Sequence, residues 1–105
     1  MVRVPISRPP THPGEMLLVE FLEPLEMSQS DLAKALQVPF QRINELVRGK
    51  RGITPSTALR LAKYFNNTPS FWMNLQQRWD LYRIKKEEAD VLKKIKPLNR
   101  LDWHV

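Results

Sequence analysis

The 105-residue chain contains no cysteine, which excludes a disulfide framework and any metal site built from thiolates. It also lacks an uninterrupted run of about 18 apolar residues, the length needed to span a membrane. Only three glycines are present, and no glycine-rich loop of the kind that cradles phosphates occurs. Because no apolar signal sequence is recognised at the start, the expected location is the cytoplasm.

The charge balance is strongly positive. Seventeen lysines and arginines against eleven acidic residues give a net charge of +6. Such a surplus favours a polyanionic partner, either a nucleic acid or an anionic membrane surface. The alternative is that the charge serves solubility alone. No nucleophile with a matched base and no metal-binding cluster is evident, so we do not expect an enzyme or a cofactor.

The sequence predicts one all-α domain between two extended ends. Residues 1–12 contain three prolines and two arginines, and proline disfavours helix, so an extended arm is expected. Residues 13–96 carry five helical patterns, and we expect the last to continue to Ile95. Residues 97–105 are expected to form a tail with at most a short strand. Four helix starts are predicted, by proline in the first helical position at Pro13 and by the capping residues Ser28, Thr54 and Thr68.

Residues 28–51 have the spacing of a helix-turn-helix. In the first helix Leu32, Ala33 and Leu36 face inward, and in the second Ile43 and Leu46 do. The helices approach closely beside Ala33, where a small residue is needed. The turn between them requires a positive φ, which glycine usually supplies; Gln37 occupies this position, a departure from the pattern that a non-glycine residue accommodates at some cost. A helix pair of this kind places its second helix in the major groove of DNA.

Polar and basic side chains are left on the outer surface of this unit. The predicted DNA-binding residues are Gln29, Pro39, Phe40, Gln41, Arg42, Asn44, Arg48, Lys50 and Arg51. The amides at 41 and 44 suit adenine edges, and Phe40 suits a thymine methyl group. Gln29 and the basic residues suit phosphates, with guanine as the alternative for Arg48. Glu45 would repel phosphate, so it either accepts from cytosine or points away.

Each of these features has a plainer interpretation. The amides at 41 and 44 are also compatible with a simple solvated helix face, and the basic run 48–51 with solubility. Trp72 and Trp79 favour core or dimer packing over a ligand cage. His12 and His104 lack neighbouring metal ligands, so no chemistry is assigned to them.

Several segments together resemble a known family. The sequence HPGE at 12–15, the helix-turn-helix with GKR at 49–51, the segment TALRLA at 57–62 and FWMNLQ at 71–76 are similar to HigA-type antitoxins. These proteins, also called virulence-associated protein I, belong to the Xre/Cro-like helix-turn-helix group. The resemblance covers residues 11–84. It implies a five-helix bundle of the lambda-repressor-like type that dimerises on a palindromic operator.

The resemblance also implies a function and a second partner. Members of this family repress their own operon and neutralise a HigB-type toxin, an mRNA endonuclease. A stand-alone repressor of phage or plasmid type without a toxin is the alternative, and an interaction scaffold that no longer binds DNA is a third. For the homodimer, apolar residues of the last helix and the tail that remain after the predicted core is assigned indicate an interface with Trp79, Tyr82, Leu92 and Trp103. The arm and first helix, and any exposed patch on the last helix, are candidates for toxin contact.

Overall fold

A computed structural model describes residues 9–99, which form a helical bundle without a β-strand in that range. The first helix, α1, spans Pro13–Leu17 and continues as a π-helical segment over Leu18–Leu22. The remaining helices are α2 (Gln29–Leu36), α3 (Phe40–Val47), α4 (Pro55–Phe65), α5 (Pro69–Glu87) and the short α6 (Ala89–Lys94). The all-α prediction is confirmed.

The predicted capping residues begin the helices as expected. Ser28 and Asp31 form a reciprocal capping box, since the Ser28 hydroxyl accepts from the Asp31 N–H at 3.0 Å and Asp31 accepts from the Ser28 N–H at 3.4 Å. Thr54 and Thr68 cap α4 and α5, each with proline in the first turn. Gln37 has a φ of 58°, the left-handed conformation that the turn between α2 and α3 requires.

Two local features differ from the sequence expectation. The first helix widens into a π-turn in which the Glu23 N–H donates to the Leu18 carbonyl, and both Leu17 and Leu22 are buried. The last predicted helix is interrupted at Glu88, whose ψ of 19° separates α5 from α6. The arm up to residue 8 and the short strand expected at 101–105 lie outside the described residues, as does Trp103.

The helix-turn-helix lies on one continuous core. Leu32, Ala33 and Leu36 from α2 and Ile43 and Leu46 from α3 are all buried, as predicted. The core also contains Leu17, Leu22, Ile53, Ala58, Leu61, Ala62 and Trp72. The helix-turn-helix is therefore rigidly seated on the rest of the bundle.

A close approach of α1 to α3 fixes the C-terminal end of α3, the second helix of the helix-turn-helix. A Cβ atom at Gly14 would overlap the backbone carbonyl of Leu46, so only glycine allows this contact. His12 begins α1, because its Nδ1 accepts from the Gly14 N–H at 2.9 Å. The sequence HPGE is thus the point at which the first helix docks on the helix-turn-helix. No chemistry was expected of His12, and its capping role was missed.

Candidate nucleic-acid interface

The exposed side of α3 carries four polar residues at helical spacing: Gln41, Asn44, Glu45 and Arg48, which we call the α3 polar face. Ile43 and Leu46 point to the opposite side and are fully buried. Because one side of the helix is fixed in the core, the other is presented in a constant orientation. An exposed helix surface of this kind fits the major groove of B-form DNA.

The two amides predicted to bind phosphate and base lie in contact with each other. The Asn44 Nδ2 donates to the Gln29 Oε1 at 3.1 Å, which ties α3 to the first residue of α2. A carboxamide carries two N–H donors and a carbonyl acceptor, so Asn44 retains one donor and its oxygen for a base edge. The contact therefore fixes the orientation of the Asn44 amide and leaves its adenine-reading groups available.

Glu45 lies at the centre of a second set of contacts. Its carboxylate accepts from Arg51 Nε at 3.0 Å and Nη2 at 2.8 Å, and from Gln41 Nε2 at 3.1 Å. The hydrogen bond from Arg51 lowers the pKa of Glu45, as do the Gln41 hydrogen bond and the charges of Arg51 and Lys50. Glu45 is therefore ionised at neutral pH, and it partly neutralises the cation closest to it.

The basic loop, residues 48–51, follows α3 directly. Gly49 has a φ of 75°, and its N–H donates to the Leu46 carbonyl at 3.1 Å. The Lys50 N–H donates to the Glu45 carbonyl at 2.8 Å, which completes the helix terminus. Among residues 9–99 the charged groups of Arg48 and Lys50 have no ion-pair partner. Arg48, a member of the α3 polar face, and Lys50, which lies beside that face, are both exposed.

The remaining predicted residues border the same surface. Pro39 is the exposed residue that begins α3, and the neighbouring ring of Phe40 is half exposed. Arg42 is half-buried one position round the helix from Gln41. The nine predicted residues thus lie on α3, at its two ends or at the start of α2.

A residue of α5 that sequence reasoning did not single out contacts the chain just after this loop. Gln76 accepts from the Ile53 N–H through Oε1 at 2.6 Å, and its Nε2 donates to Asp80 at 3.0 Å. Gln76 belongs to the FWMNLQ segment, so the sequence marked it without indicating a role. The contact joins residues 23 positions apart, and no local pattern predicts such a pairing.

The predicted dimer residues have different surroundings. Trp79 packs edge-on against His12, with 5.1 Å between the ring centroids. Tyr82 is half-buried beneath Lys86, whereas Leu92 on α6 is 45% exposed. Other exposed apolar side chains near this end of the chain are Leu81, Val91, Ile95 and Leu98. Trp72 is fully buried, which agrees with the first of the two alternatives predicted for it, core packing and dimer packing.

Comparison with known proteins identifies the family. Residues 18–72 match the helix-turn-helix family. Virulence-associated protein I of Dichelobacter nodosus is 46% identical over 83 residues, which cover 79% of this chain and 77% of that protein. Antitoxin HigA-1 of Vibrio cholerae is 38% identical, with 88% and 87% of the two chains covered.

A solved structure gives the same assignment. The Pseudomonas aeruginosa antitoxin HigA, determined with the higBA promoter, is 40% identical and superimposes with a TM-score of 0.82. The match covers 86% of this chain and 99% of that one. No helix among residues 9–99 is long and apolar enough to cross a membrane. The chain belongs to the helix-turn-helix family, in the group of HigA antitoxins and virulence-associated protein I.

Proposed function

We propose that this protein is a DNA-binding antitoxin that represses its own operon and neutralises a HigB-type toxin in the cytoplasm. The observation that carries the DNA-binding part is the α3 polar face, fixed by the core beneath it and bordered by the basic loop. The similarity to an antitoxin HigA solved with its promoter supports the same conclusion.

In this proposal, different residues of the interface contact different parts of the DNA. Gln41 and Asn44 read base edges, and Phe40 meets a thymine methyl group. Gln29 binds a phosphate with the amide hydrogens that its contact with Asn44 leaves free, at the start of α2. The basic loop and Arg42 bind phosphates on either side of the groove, which makes affinity fall steeply with salt.

The protein acts as a homodimer in this proposal. A single recognition helix contacts too few base pairs for useful specificity, and a two-fold dimer doubles the contacts. The exposed apolar residues of α6 and the end of α5 are remote in sequence from the α3 polar face. We place the dimer interface there, with Trp79, Tyr82 and Leu92 as its described members and Trp103, which lies outside the described residues, as the fourth.

The proposed toxin partner is tested by purifying the tagged protein from its native cell and identifying the proteins that co-purify with it. A stoichiometric small basic protein that arrests translation when expressed alone, and is silenced by co-expression of this chain, is the expected result. If the protein purifies without any other protein bound, the antitoxin part of the proposal is contradicted and a stand-alone repressor is favoured.

A separation-of-function variant makes this test sharper. Asn44→Ala removes a base-reading amide without altering the arm, α1 or α6. We expect it to neutralise the toxin normally while it fails to repress the operon, as measured with a promoter fusion. Loss of both activities together in a folded variant would contradict separate DNA and toxin surfaces.

A further inference from the structure

We propose that Gln76 is a positioning residue of the DNA interface, which fixes the basic loop from behind without touching DNA itself. The inference rests on the proposed DNA-binding function. Its basis is a contact between α5 and the residues that immediately follow Arg51.

The first part of the connection between Gln76 and the loop is a hydrogen bond to the backbone just after Arg51. Ile53 is 4% exposed, and its N–H donates to the Gln76 Oε1 at 2.6 Å. A buried backbone N–H requires a partner, and here a side chain of α5, a helix distant in sequence, supplies the acceptor. The bond holds the chain two residues after Arg51 at a fixed distance from α5.

The second part is the orientation of the Gln76 amide. Its Nε2 donates to Asp80 Oδ1 at 3.0 Å, one turn further along α5. Because the carboxylate accepts only, this contact directs the amide nitrogen towards Asp80 and the oxygen towards Ile53. Gln76 is therefore held in one orientation from both sides.

The third part is the space left by Gly52. A Cβ atom at this position would lie 2.8 Å from the amide carbon, nitrogen and oxygen of Gln76. The φ of Gly52 is not in the left-handed region, so backbone conformation alone does not require glycine here. Glycine instead allows the Gln76 amide to lie directly against the loop backbone.

These contacts add an attachment between the loop and the bundle, beside the buried side chain of Ile53. The loop begins at the terminus of α3 and re-enters the core at Ile53. With both ends fixed, Lys50 and Arg51 are presented to phosphates without an additional ordering cost on binding. Release of the Ile53 end removes this pre-organisation and leaves α3 in place.

The test compares Gln76→Ala and Gly52→Ala with wild type and with Gln77→Ala, an exposed α5 neighbour of the same chemistry. The probes are a duplex selected by the wild-type protein from a random-sequence pool, and a scrambled duplex of the same composition. Affinity is measured over a range of salt concentrations, at a temperature where circular dichroism shows every variant to be folded.

We expect both variants to bind the two duplexes about tenfold more weakly, the effect of losing one well-placed hydrogen bond. The salt slope is the slope of log affinity against log salt concentration. Loss of one phosphate contact per subunit should make it shallower by about two for a dimer. The preference for the selected duplex should stay unchanged, because the α3 polar face is intact. Gln77→Ala should behave as wild type.

A double variant tests the contact itself. With alanine at position 76, the Cβ at position 52 no longer meets an amide, so Gly52→Ala should cost nothing further. Folded variants with wild-type affinity and salt slope, or strictly additive losses in the double variant, would overturn the inference. If the wild-type protein enriches no duplex from the pool, the proposed function is overturned and this inference with it. Because Gly52→Ala acts from the loop side, the test does not depend on Gln76→Ala folding.

Discussion

At the residue scale, the proposed DNA interface consists of side chains that orient one another in the protein alone. The Asn44 amide is fixed by Gln29, and Arg51 is fixed by Glu45. The outward direction of these residues follows from helical periodicity and was predicted from the sequence. Their pairings were not, because a hydrogen bond across 15 positions depends on how α2 and α3 pack and not on either helix alone.

The Asn44 contact leads to a prediction about specificity. Asn44→Ala should lose about 1–3 kcal/mol of discrimination at a single base step, because a bidentate amide contact to adenine is removed. The measurement is the ratio of affinities for the selected duplex and for single-base variants of it. Asn74→Ala, which removes an exposed amide from α5, is the control. An unchanged ratio in Asn44→Ala would mean that α3 is not the reading helix.

The ion pair at Glu45 leads to a prediction about salt dependence. Glu45→Gln removes a negative charge and releases Arg51, so affinity for all sequences should rise and the salt slope should steepen by about two for a dimer. Glu87→Gln is the matched control, because it removes one carboxylate partner of Arg83 on α5 through the same charge change, while Asp80 remains 3.7 Å away. Weaker binding by Glu45→Gln would instead mean that the ion pair orients Arg51 towards phosphate.

At the element scale, local chemistry determined most helix boundaries. Capping residues with proline in the first turn marked where α4 and α5 begin, and a capping box marked α2. The π-turn after Leu17 has no comparable capping signal, and it brings Leu17 and Leu22, five residues apart, into the same core. The separation of α6 at Glu88 was likewise missed, because no proline or glycine is present there to indicate it.

The cap of α1 leads to a prediction about pH. Partial burial lowers the pKa of His12, against the opposing charges of Asp80 on α5 and Glu15 on α1. The unfolded chain therefore takes up the proton first, so stability falls as pH drops from about 6.5 through the lower folded pKa. Protonation also removes the Nδ1 acceptor that caps α1.

The variant that tests this is His12→Asn, which retains a capping acceptor but does not titrate. Thermal unfolding midpoints between about pH 7.5 and 5 should fall less in His12→Asn than in wild type. His104 is present in both proteins, so the difference between them isolates His12. Parallel curves for the two proteins would show that the cap does not control the pH dependence.

At the scale of the whole molecule, the proposed dimer explains the exposed apolar residues of the C-terminal helices. Leu92→Asp should shift sedimentation from dimer towards monomer and weaken operator binding, because burying a carboxylate in an apolar interface is costly. Leu59→Asp is the control, since Leu59 is 60% exposed on α4, outside the proposed interface. A wild-type protein that sediments as a monomer at micromolar concentration, even with operator DNA, would contradict the dimer.

The central claim is that α3 reads a specific DNA sequence as part of a symmetric dimer. Selection of bound duplexes from a random-sequence pool tests it most directly, because the protein itself then chooses the sequence that it binds. The expected result is an inverted repeat whose half-sites lie about 34 Å apart, one turn of B-form DNA. Recovery of no enriched sequence, or of a single unrepeated site, would contradict the account.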